Sequence, residues 1–193
     1  MINTNYIGPI KNTRPNFNNP IIYKATRLNA ENMPYEHYTA FDNKGKILGI
    51  IDGKMETINP LIGDPFFPGF KKFNSFYVYY LRSHEHNFGN KLLDFVQIIS
   101  KKNGGEGRFH LIASDRYNVK KPPHIFYRRY GMDSLYPQLI NDLDKYIKGK
   151  IKLEDLETID TPMYFIPKEL KNKKSNNNKI LNLIKNLAKK MKK

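Results

Sequence analysis

Cysteine is absent from all 193 residues. That excludes disulfides, thiolate metal sites and a cysteine nucleophile together, so any acyl or phosphoryl transfer must use other atoms. No apolar run approaches the roughly 20 residues that a membrane span needs. The segment after Met1 lacks the basic and apolar regions of a signal peptide, so a soluble cytoplasmic protein is expected. Acidic residues are scarce, 18 against 33 Lys and Arg, for a formal charge of +15. The imbalance is local: ten lysines and one glutamate fall between Lys168 and Lys193. The chain up to Pro167 is therefore only mildly basic, and the charge speaks to partners rather than to fold.

What is present suffices for one core, with 39% hydrophobic and 13% aromatic residues. Residues 1–20, with six Asn and the breaks "GP", "RP" and "NP", read as an extended or disordered arm. "IIYKATRL", Ile21 to Leu28, has the β-branched and aromatic content of a strand, and "NAENMP" is a short connector. "YEHYTAF", "DNKGK" and "ILGIIDGKMETI" read as a hairpin whose second strand is interrupted by a glycine-rich kink. The Pro-, Gly- and Phe-rich stretch from Asn59 to Lys72, with Phe66, Phe67 and Phe70, reads as a lid or pocket wall.

The strand "FNSFYVYYL" then runs through "RSHEHNFG" into a helix expected from about Asn90 to Lys102. Leu92, Val96 and Ile99 form one stripe of it, with Leu93 and Phe95 beside them, and Asn103, Gly104 and Gly105 stop it. Amides at the start of such a helix lack intrahelical partners, so an anion suits the place. "RFHLIAS", Arg108 to Ser114, alternates as a half-buried strand. Strand, crossover helix and strand imply a parallel pair. "PHIFYRRYGM" reads as a short helix ended by Gly131, "SLYPQLINDLDKYIKGK" as a further helix and "TPMYFIP" as a last strand. The end is a polar linker and then "ILNLIKNLAKKMKK", amphipathic with Lys on its polar face. The expected division is thus an arm (1–20), a domain (21–167) and a Lys-rich tail (168–193).

Two segments in this order carry a family pattern. "HEHNFGNKLL" resembles the signature Q/R-x-x-G-x-G/A, followed by a Leu pair, of the GNAT superfamily of N-acetyltransferases. His84 stands in the first place, Asn87 for the first Gly, Gly89 for the second, and Leu92 and Leu93 form the pair. "PHIFYRRYGM" is similar to the family's A-x-x-F-Y-x-x-x-G-F helix, with Phe126 and Tyr127 as the aromatic pair and Met132 for the usual Phe. Two departures stand out: His84 replaces Arg or Gln, and Asn87 replaces a Gly where positive φ is expected, which Asn tolerates.

The resemblance implies an α/β fold with a mixed sheet whose central parallel strands splay apart, and acetyl-CoA as cosubstrate. Its arm would bind along Tyr79, Tyr80 and Leu81. Its pyrophosphate would sit on the amides of His84, Glu85, His86, Asn87, Phe88, Gly89 and Asn90, with Gly89 allowing close approach. Tyr127 would inherit the role of general acid in a direct attack by a primary amine, the acceptor being a small molecule or a peptide or protein amine. The strand "FYVYY" has no carboxylate, so the base is open among His110, Ser114, His84, Glu85 and relayed water. His84 and His86 alternate without a distant third ligand, so no metal is expected. The competing reading is a non-catalytic acyl-CoA-binding or scaffold module whose basic tail contacts a membrane, a nucleic acid or a protein.

Overall fold

The computed structural model describes residues 20–59, 72–86, 88–114, 116 and 121–171. The expected arm, all but the ends of the Phe-rich loop, Asn87 and the tail beyond Lys171 lie outside them. The elements in chain order are β1 (Ile21–Leu28), β2 (Pro34–Phe41), β3 (Ile47–Ile58), β4 (Phe73–Ser83), α1 (Phe88–Lys102), β5 (Phe109–Ala113), α2 (Pro123–Tyr130), β6 (Asp133–Ser134), α3 (Pro137–Ile147), a 3-10 turn (Leu153–Asp155) and β7 (Thr161–Phe165). The strands form one mixed sheet in the order β1-β2-β3-β4-β5-β7-β6. β4 and β5 are its parallel pair, joined by the α1 crossover, and the other neighbours run antiparallel. The α/β mixed sheet is as expected.

The strands owe their faces to alternation, since successive side chains point to opposite sides. Ile51, Phe76, Val78, Phe109, Leu111 and Met163 form the buried side. α1 lays Leu92, Leu93, Phe95, Val96 and Ile99 on them, and all of these residues belong to one apolar cluster. Each such fully buried side chain contributes about 1.5–3 kcal/mol relative to exposure. Phe126, Tyr127 and Tyr130 of α2 pack on the same cluster, which places both helices on this face. A smaller cluster of Ile125, Leu139, Leu143 and Leu156 joins α2 to α3.

Three details differ from expectation. α1 starts at Phe88 rather than near Asn90, because a turn closed by the Phe88 N–H on the Glu85 carbonyl feeds it directly. β3 is one continuous strand of 12 residues that is not interrupted, although Leu48, beside Gly49, is bulged against β2. Its glycines answer packing instead: a Cβ at Gly49 would lie 2.6 Å from Leu92, and one at Gly53 would strike the Tyr77 carbonyl and the Phe76 ring. Opposite Asp52 and Gly53 the extra residue is on the partner strand. Asp52 pairs with Tyr80 while Gly53 pairs with Val78, so Tyr79 of β4 has no opposite number and forms a bulge. The short β6 was not legible as a strand.

Candidate functional site

The parallel ladder between β4 and β5 is only three pairs long: Phe76 with Phe109, Tyr77 with His110, and Val78 with Leu111. Beyond it β4 continues to Ser83, still paired to β3, and β5 continues to Ala113, still paired to β7. Each strand therefore turns an unpaired edge toward the other, and unpaired strand edges are templates for an extended partner. The Tyr79 bulge sits where the separation begins. Around this opening Tyr79, Tyr80 and Ile112 are 42, 45 and 52% exposed.

The β4 edge leads to the start of α1, where a cleft of about 720 Å³ is lined by Asp42, Lys46, Glu85, His86, Phe88 and Lys91, among others. Lys46 is ion-paired to Glu85, which offsets the only acidic group of the connecting loop. The first turn of α1 contains no acidic residue while Lys101 and Lys102 occupy its last turn. The positive end of the helix dipole thus faces the cleft without a protein carboxylate in that turn. The expected cradle is narrower than a run of free amides. The His84 N–H donates to the Leu48 carbonyl and the Phe88 N–H to the Glu85 carbonyl. His84, His86 and Asn90 are exposed and Glu85 and Leu81 half-buried, whereas Phe88 and Gly89 are buried. Gly89 has a packing reason of its own: a Cβ there would lie 2.9 Å from the Phe126 ring of α2.

That contact places the aromatic pair of α2 against the first turn of α1. Tyr127 follows Phe126, and burial pushes its phenol up to about 12. Among the described residues no side-chain hydrogen bond engages its hydroxyl. α2 is held in place by Pro123 in its first turn, by Gly131 in the left-handed region (φ 101°) at its end, and by Arg128. The Arg128 guanidinium binds Asp144 of α3 in bidentate fashion (2.6 and 2.8 Å) and also reaches Asp133.

The opposite face of the sheet holds polar groups that reading along the chain did not connect. His37 of β2 has Nδ1 2.5 Å from Asp52 of β3 and Nε2 2.9 Å from Thr39. On β5, His110 has Nδ1 2.9 Å from the Ser75 hydroxyl and Nε2 3.6 Å from Glu56. Rings run across this face from Tyr35 to Tyr79, Tyr77, His110 and Tyr164, with Tyr77 and Tyr164 stacked on the His110 ring at 4.8 and 5.7 Å. β4 carries no carboxylate, but Asp52 and Glu56 of β3 flank it. The missed signal was the period-2 placement of Asp52, Lys54 and Glu56 in "DGKMET".

Of the expected base candidates, His110 is on this face. Glu85 is committed to Lys46, and the Ser114 hydroxyl lies past the end of β5, 3.4 Å from the Arg116 N–H. Among the described residues no cluster of three His, Asp or Glu has the geometry to hold a metal ion, and no helix is long and apolar enough to cross a membrane.

No family model and no curated protein matches the chain. Among solved structures, one described as a bacterial toxin is similar over 76% of this chain and 90% of its own, at 12% identity and a TM-score of 0.44. A GNAT-family acetyltransferase from Staphylococcus aureus Mu50 is similar over 67% of this chain and 66% of its own, at 15% identity and a TM-score of 0.36. Neither likeness assigns a residue or a reaction to this chain.

Proposed function

We propose that the protein is an N-acetyltransferase that moves an acetyl group from acetyl-CoA to a primary amine by direct attack in a ternary complex. The observation that carries this reading is the parallel ladder that stops after three pairs at a bulge, with its open edges leading to a helix whose first turn holds no acidic residue. A narrow thioester arm with amide groups fits between two unpaired strand edges, and a phosphorylated end fits the cleft beside Lys46, His86 and Lys91.

Acetyl-CoA, when bound, supplies an activated acyl carbon and a thiol leaving group. The first-turn amides of α1 and the nearby lysines bind phosphate, and the edges of β4 and β5 orient the arm through main-chain hydrogen bonds. Tyr127, a phenol that is protonated at neutral pH, donates a proton to the departing sulfur. The sequence resemblance of "PHIFYRRYGM" supports that role.

Calorimetric titration of acetyl-CoA into the wild type and a Tyr127→Phe variant tests the reading, together with a thiol-release assay over a panel of amines. Micromolar binding by both proteins is expected, with release lowered on the order of 10²-fold in the variant. Binding without release by the wild type is the outcome of a non-catalytic acyl-CoA module. No binding at all would sink both.

A further inference from the structure

We infer that the acceptor amine is taken as an ammonium ion between Glu56 and His110, on the sheet face opposite the helices, and that His110 is the base that removes its proton; the second part rests on the acyl-transfer reading. Three observations combine. His110 belongs to the ladder pair before the last, with Tyr77 opposite, so its ring lies beside the place where β4 and β5 separate. Its Nδ1 is 2.9 Å from the Ser75 hydroxyl, while its Nε2 lies 3.6 Å from a Glu56 carboxylate oxygen, beyond hydrogen-bond length. The other Glu56 oxygen is already taken by Lys54 at 3.1 Å.

In the tautomer that donates Nδ1–H to Ser75, the one a base requires, Nε2 presents a lone pair toward a carboxylate oxygen. Two acceptors side by side are satisfied by a donor that reaches both, and an ammonium group has three N–H bonds to share. Tyr77 stacks on the imidazole at 4.8 Å and Tyr79, with the Lys54 ammonium over its ring, stands beside Tyr77 at 4.6 Å, so aromatic rings wall the subsite. The side chains are partly open to solvent, 12% for His110 and 29% for Glu56.

The second histidine of this face does not offer the same opening. Both nitrogens of His37 are within hydrogen-bond distance of partners, Asp52 and Thr39, and β2 is separated from β4 by the whole of β3. Of the two histidines described on this face, His110 is the one that combines a nitrogen outside hydrogen-bond contact with a position at the opening.

The step balances. The ammonium proton passes to His110 Nε2, the freed amine nitrogen bonds to the acyl carbon, the carbon–sulfur bond breaks and the sulfur takes the Tyr127 proton; the nitrogen's second proton returns through solvent to the Tyr127 oxygen, leaving a neutral amide, a thiol and a protonated His110. The charged and titratable groups facing His110 are Glu56 and Lys54 from β3, Tyr77 from β4 and Tyr164 from β7. Burial holds the imidazole below its ordinary value, with Glu56 opposing that shift. His110 is therefore neutral and able to accept a proton at pH 7, and kcat/KM falls only as the pH drops below the ordinary histidine range.

Two measurements on the full chain decide it. In the first, imidazole NMR follows His110 while benzylamine is added. A saturable shift of the His110 ring resonance is expected, weakened tenfold or more in Glu56→Gln. No shift at millimolar benzylamine overturns the subsite. In the second, thiol release from acetyl-CoA with benzylamine is compared in wild type and His110→Gln. The variant is expected to keep acetyl-CoA affinity, to lose on the order of 10²-fold in kcat and to lose the acid limb of the pH profile. A variant that keeps wild-type kcat and that limb overturns the base role alone. Failure of the wild type to bind acetyl-CoA overturns acyl transfer and the base role together, and the NMR result still decides the ammonium subsite.

Discussion

The two faces of the sheet are made from the same strands, yet they are different kinds of surface. The face under α1 and α2 is filled by Phe76, Val78, Phe109, Leu111 and Met163, none more than 4% exposed. The other carries His37, Asp52, Lys54, Glu56, Ser75, Tyr77 and His110, nearly all engaged with partners on neighbouring strands. The difference teaches where stability and chemistry reside. Burial is non-directional and tolerates exchange of one apolar side chain for another of similar volume. A histidine 3.6 Å from a carboxylate depends on register, and a one-residue slip would move the whole set to the wrong side. The bulge at Tyr79 is the one place where β4 departs from this alternation, and it coincides with the opening between the strands.

If the faces divide labour in this way, changes on one should move stability and changes on the other function. The largest effect expected is from Leu93→Ala, which empties a site with no solvent exposure in the main cluster. It should cost about 2–5 kcal/mol in urea unfolding. A loss below about 1 kcal/mol would mean that α1 is not seated on the sheet as described.

Next is reversal of charge at the α1 cleft. A Lys46→Glu, Lys91→Glu double variant should weaken acetyl-CoA binding at least tenfold by calorimetry, and should affect the acetylated pantetheine fragment without phosphates far less. Equal loss for both ligands would place the phosphates elsewhere. This pair is preferable to substitution at Gly89, where the Phe126 ring would make any side chain a packing defect as well.

The smallest effect should come from Thr39→Val, which removes one hydrogen-bond partner of His37. About 1 kcal/mol of stability is at stake, and thiol release should be unchanged. A marked loss of turnover without loss of stability would move His37 into the chemistry and blur the distinction from His110.

Much of the helix-bearing face could be read along the chain. The stripe of Leu92, Val96 and Ile99 with its glycine-containing stop, the short helix ending at Gly131 and the parallel strand pair all follow from local periodicity and turn chemistry. The interruption expected in β3 is absent, and only a bulge at Leu48 marks its glycine-rich part. Gly49 and Gly53 look like breaks in a strand, but each makes room for a neighbour, Leu92 in one case and Phe76 with Tyr77 in the other. A glycine chosen for space and a glycine chosen for conformation are the same letter.

The opposite face was hardly legible. His110 stood among several candidate bases, and neither Glu56 nor Ser75 was connected with it, because they are separated from it by 54 and 35 positions. Lack of a carboxylate on β4 leaves the base open along the chain, when the neighbouring strand supplies Asp52 and Glu56. By itself the sequence determined the α/β class, the apolar stripes, the helix stops and the absence of thiol chemistry, because these depend on residue type and spacing over a few turns. Strand assembly alone sets that the β4–β5 ladder ends after three pairs, that Leu48 and Tyr79 are the bulged residues, and that His110 faces Glu56. Those facts are set by register between strands distant in the chain, and register is a property of the assembled sheet.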